Sequence, residues 1–128
     1  MTTPSRLAAA VLAFCTVAAA PVQNLALDRV MRQKLAHAQK ILEAVVTSDW
    51  SALETESREL ERLTTEPAWT SLKLPEYARY STAFVAAVHD LHQAAAQRDL
   101  DATPKAYVAV TLKCVECHRY LARARVAR

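Results

Sequence analysis

"LALDRVMRQKLAHAQKILEAVV" (Leu25 to Val46) carries the fold in its spacing. The apolar residues Leu27, Met31, Leu35, Ala38, Leu42 and Val45 are separated by four, four, three, four and three positions. That is a narrow stripe of helical period, the seam of a bundle helix, and not the period-two alternation of a half-buried strand. It predicts a first helix from about Asn24 to Val46. "TSDW" (47–50) interrupts the pattern, with Ser48, Asp49 and Ser51 as N-cap candidates and Glu54 placed as a capping-box partner for Ser51.

Working outward, a second helix runs from about Trp50 to Thr65. Trp50, Leu53, Leu60 and Leu63 lie on one side, and Glu54, Glu56, Arg58, Glu59, Glu61 and Arg62 form a solvated face. "EPAWTSLKLPE" (66–76) is the longest connection. Proline is favoured at the first helical turn, so a third helix opens near Pro75 and reaches about Arg98, with Tyr77, Tyr80, Phe84, Val88, Leu91 and Ala95 as its seam. "DLDATP" (99–104) then leads into a fourth helix, with Thr103 as its cap and Pro104 in its first turn, ending at about Val126. No repeat, low-complexity tract or strand-like alternation competes. The chain lacks glycine, and alanine, the best helix former, dominates its apolar half. At 128 residues it makes one domain. The expected fold is all-α, an antiparallel up-down-up-down four-helix bundle occupying residues 20–128.

Residues 1–19 read differently. "MTTPSR" is a short polar start with one positive charge, "LAAAVLAFCTVAAA" (7–20) is apolar, and Val17-Ala18-Ala19 offers small residues for cleavage. That is the layout of a secretory signal peptide, and the run is short for a span of about 20 residues. A retained anchor is the alternative. A lipid-bearing Cys15 fits poorly, because Phe14 is bulky and the apolar run continues beyond it. Export predicts a periplasmic mature chain with no membrane span, keeping Cys114 and Cys117 as its cysteines and Met31 as its methionine. Its net charge falls from +3 to +2 with the loss of Arg6. So small an excess, without a basic stripe and interleaved aromatics, argues against a nucleic-acid partner. The basic tail of Lys113, Arg119, Arg123, Arg125 and Arg128 suits a solvated helix C-terminus.

Within that last helix stands Cys114-Val115-Glu116-Cys117-His118. Three chemistries use this pattern. In C-x-x-C-H haem attachment, both thiols form thioethers with the haem vinyl groups and the histidine is the proximal iron ligand. On a helix the three side chains stand at i, i+3 and i+4, so one porphyrin meets all of them from one side. A zinc site would join Cys114 and Cys117 to His89 and His92, also at i, i+3, but leaves His118 without a role. A redox thiol pair gains its low pKa from a helix N-terminus, and Cys114 lies well past one. Haem is the leading reading. Met31, about seven residues into the first helix, and His118, about eight residues before the end of the fourth, lie roughly 10 Å and 12 Å from the same end of the bundle. Met31 is therefore the expected distal ligand, with packing against an open haem face as its other reading. Leu35, Trp69, Tyr77 and Tyr80 are candidates for the pocket, and Arg119 and Arg123, with Arg29 and Arg79, for the propionates.

A covalent haem motif on the last helix of a four-helix bundle resembles the class II cytochromes c, the cytochrome c′ group and its low-spin relatives. The resemblance runs from Leu27-Asp28-Arg29-Val30-Met31 to Cys114-Val115-Glu116-Cys117-His118. It implies one covalent haem c and single-electron transfer with an unidentified redox partner protein, not enzymatic turnover, and it accommodates a homodimer. In low-spin members an early methionine of the first helix is the sixth ligand, matching Met31; high-spin members are five-coordinate and bind small gases, the main alternative function. The family often has a basic residue four positions after the proximal histidine, where this chain has Ala122.

Overall fold

The computed structural model describes residues 22–126, which form four helices: α1 (Val22–Thr47), α2 (Trp50–Leu63), α3 (Pro75–Ala96) and α4 (Ala102–Val126). No strand occurs among the described residues, and none of their helices is long and apolar enough to cross a membrane. The expected signal segment lies outside the described residues.

The turns show how a glycine-free chain reverses. Ser48 (φ 55°) and Arg98 (φ 54°) adopt the left-handed conformation that glycine usually fills after a helix. Each closes a Schellman motif. Ser48 N–H donates to the Val45 carbonyl (3.4 Å) and Asp49 N–H to that of Ala44 (3.0 Å); Arg98 N–H donates to Ala95 (3.0 Å) and Asp99 N–H to Ala94 (3.1 Å). The next helix is capped at once by the residue that follows. Asp49 Oδ1 accepts from Ala52 N–H (3.0 Å). Asp99 Oδ1 accepts from Asp101 (2.9 Å) and Ala102 (2.8 Å). Thr103, the expected cap of the last helix, is instead inside it and buried, its backbone N–H donating to the Asp99 carbonyl (3.0 Å).

Lys40 reaches Glu56 between α1 and α2 (3.2 Å), and Tyr80 stacks on Tyr120 between α3 and α4 (5.4 Å), so these neighbours run back along one another. α2 is short and covers only the later part of α3. The connection 64–74 covers the rest by dropping Trp69 into the core, against Tyr77 (5.8 Å) and Phe84 (5.6 Å), where its carbonyl accepts from the Tyr77 hydroxyl (2.7 Å). Ile41, Leu53, Leu60, Val88, Leu91 and Val110 complete the core. Each such aliphatic side chain contributes roughly 1.5–3 kcal/mol by burial.

The buried line of α1 is not the expected seam. Val30, Lys34, Ile41 and Ala44 are buried, whereas Leu35 is 60% and Leu42 49% exposed. The helix is rotated by about one residue, roughly 100°, from the orientation its apolar stripe suggests. Lys34 and half-buried His37 lie on the inward line, and their polarity hides it from a hydrophobicity reading.

Candidate functional site

α1 packs on α2, α2 on α3 and α3 on α4, but α1 and α4 scarcely touch. The gap between them is an apolar cavity of about 410 Å³. Met31, Leu35 and Ala38 line it from α1, and Val110, Cys114, Cys117 and His118 from α4; Leu60, Trp69 and Phe84 also face it. The stripe that reads as a core seam thus supplies one wall of a cleft.

The structure therefore brings Met31, Leu35, Trp69, Tyr80, Cys114, Cys117 and His118 to one cavity. Met31 stands nine residues after the start of α1 and His118 eight before the end of α4. At about 1.5 Å per residue they lie some 14 and 12 Å from their respective ends, close to level across the gap. Cys117 is buried, Cys114 half-buried and His118 exposed. Tyr80 is half-buried, with the Arg79 guanidinium 4.7 Å from its ring centre. Tyr77 is not among the cleft residues: it is buried and lines a separate cavity of about 620 Å³ under the 64–74 connection, and burial pushes its hydroxyl up to about 12. Arg119 and Arg123 are exposed and do not line the cleft either. Arg79 pairs with Glu76 (2.8 Å).

Three cations that line the cleft escape a reading by motif. Arg32 pairs with Asp28, and Lys113 pairs with Glu116 (2.9 Å). Lys34 is 7% exposed, and its Nζ has no hydrogen-bond partner. That nitrogen lies 3.0 Å from the Trp69 ring centre and 3.9 Å from that of Phe84. Burial pulls the amine down to about 7, while Cys114 and then Cys117 act in the opposite sense. Both thiols are in turn pushed up, by burial first, with Lys34 opposing. Raised thiols in mid-helix are the reverse of what a redox pair needs.

The histidines of the zinc alternative have another partner. His89 Nδ1 lies 3.1 Å and His92 Nδ1 2.7 Å from the two oxygens of Glu61 on α2. Among the described residues no group of three or more His, Cys, Asp or Glu side chains is arranged to hold a metal ion.

The donor set suits haem c. Two thiols and an imidazole stand together on α4 and a thioether stands on α1, around an apolar space. Its volume of about 410 Å³ falls in the range of about 300–1,000 Å³ that buries organic ligands. Compared with known protein families, curated proteins and solved structures, the chain matches none.

Proposed function

We propose that the chain is an exported, periplasmic monohaem electron carrier resembling the class II cytochromes c, an up-down-up-down bundle with its cofactor between α1 and α4. The observation that supports it is the cavity shared by Cys114, Cys117, His118 and Met31. Bound there, haem supplies a one-electron iron couple. Cys114 and Cys117 would anchor it as thioether donors. His118 presents its imidazole nitrogen from the turn after Cys114, and Met31 presents its sulfur from the facing helix. Leu60, Trp69 and Phe84 face the cleft and would keep water from that side of it, and a haem seated there would cover part of Leu35, which is exposed on this wall. A thioether donor favours the reduced state and raises the potential. The electron passes to a redox partner protein of unidentified kind.

The test is optical. Protein matured with covalent haem shows a Soret band that survives denaturation, and Cys114→Ala/Cys117→Ala loses it. The ferrous wild type is low-spin and indifferent to carbon monoxide, and ferrous Met31→Ala becomes high-spin and binds it. Ready carbon monoxide binding by the wild type favours the five-coordinate gas-binding reading, in which Met31 only packs. Absence of any Soret band overturns both.

A further inference from the structure

Lys34 has no task in electron transfer as proposed. Its flexible four-carbon stem would ordinarily carry the charge out to water. Here the stem leaves α1 on its buried line, between Val30 and Ile41, and the nitrogen ends enclosed over two aromatic faces. Trp69 from the connection and Phe84 from α3 offer it no acceptor. The titratable groups that act on it are Cys114 and Cys117 of α4. It stands one turn after Met31, and residues three apart share a helix face.

We propose that the Lys34 amine is a second distal donor, which takes the ferric iron of a haem held by Cys114, Cys117 and His118 whenever the Met31 thioether is displaced. The inference rests on the haem reading above. Burial favours the neutral amine, and thioether formation leaves neither thiol able to ionise beside it. A neutral amine carries a free lone pair, and Lys34 is among the residues that line the cleft, so turning its stem off the Trp69 and Phe84 rings brings that lone pair to it. A thioether is soft and suits ferrous iron, whereas an amine is the harder donor and suits ferric iron. In the exchange the Met31 sulfur leaves and the neutral Lys34 nitrogen binds in its place, with no proton released and no change in electron count.

Four ferric proteins decide the matter: wild type, Met31→Ala, Lys34→Leu and the double variant. Each is first assayed for covalent haem, then examined by electron paramagnetic resonance and near-infrared charge-transfer spectroscopy. Ferric Met31→Ala is expected to stay low-spin with a nitrogen-donor signature, although its ferrous form is high-spin. The double variant is expected to be wholly high-spin in both states. Lys34→Leu is expected to retain haem and the wild-type ferrous spectrum. A ferric Met31→Ala that is already high-spin overturns the proposal by itself, without depending on whether any Lys34 variant folds. A double variant indistinguishable from Met31→Ala overturns it as well. Loss of the haem band from the wild type removes the underlying reading, a separate and recognisable outcome.

Discussion

The Lys34 ammonium nitrogen lies 3.0 Å from the centre of the Trp69 ring. A desolvated cation over an aromatic face gains about 2 kcal/mol, less than the several kcal/mol that enclosing an unpaired charge costs. Lys34→Leu should therefore stabilise the haem-free protein at neutral pH, by roughly 1–4 kcal/mol. The amine titrates near 7 when folded, below its ordinary value of 10.5. Between those values the unfolded chain binds more protons, so the wild type gains stability as pH rises through that window. Below about pH 7 both states are protonated and the full cost is present. Urea melts from about pH 6 to about pH 7.5, below the range in which ordinary thiols ionise, should show the two proteins converging with rising pH. A constant difference would show that the nitrogen is not desolvated.

Ser48 and Arg98 occupy left-handed backbone with a side chain in place, which costs roughly 1 kcal/mol at each site. Ser48→Gly and Arg98→Gly remove that cost and keep the Schellman hydrogen bonds, while glycine's freedom in the unfolded chain offsets part of the gain. Each is expected to stabilise by about 0.5 kcal/mol, and their effects should add because they lie in separate turns. Thermal melts of the singles and the double test this, and a destabilised single variant would mean that the Ser48 or Arg98 side chain itself does needed work.

These turns mark where sequence reading succeeded and where it stopped. The four helices were legible because apolar period, proline at Pro75 and the acidic cap Asp49 agree locally. The cleft was legible in part, since Cys114, Cys117, His118 and Met31 carry recognisable side-chain chemistry and helix lengths set their level. The orientation of α1 was not. Lys34 sits inward for reasons of tertiary packing, namely the Trp69 and Phe84 faces that await it, and nothing in its neighbours along the chain announces those. Tyr77 failed for a related reason: it sits one turn before Tyr80, yet the Trp69 carbonyl claims its hydroxyl on another side of the bundle.

Glu61 joins α2 to α3 through both His89 and His92. The His92 hydrogen bond holds its carboxyl below the usual carboxylate range, burial opposing and His89 assisting. A depressed folded value means that this contribution is present above the unfolded carboxylate range and is lost as pH falls through the folded one. Glu61→Gln should cost about 0.5–1 kcal/mol at neutral pH, after allowance for partial solvent screening. The penalty should shrink towards zero in acid, because protonated wild type and variant then resemble one another. Denaturant melts at neutral and acidic pH measure it, and an undiminished acid penalty would assign Glu61 a purely packing role.

Cys114 and Cys117 are free thiols in the described structure, one half-buried and the other buried. Burial pushes both above the ordinary thiol range, and the Lys34 ammonium limits that rise. In reduced, haem-free protein, alkylation should therefore be slow at neutral pH, with Cys114 modified before Cys117, whose access waits on local opening. The rate should climb with pH later than for an unperturbed thiol near 8.5. Haem-loaded protein should take up no reagent at either position, because both sulfurs are then thioethers. Rapid modification of both cysteines at neutral pH would instead reveal activated thiolates and return the redox-pair chemistry to consideration.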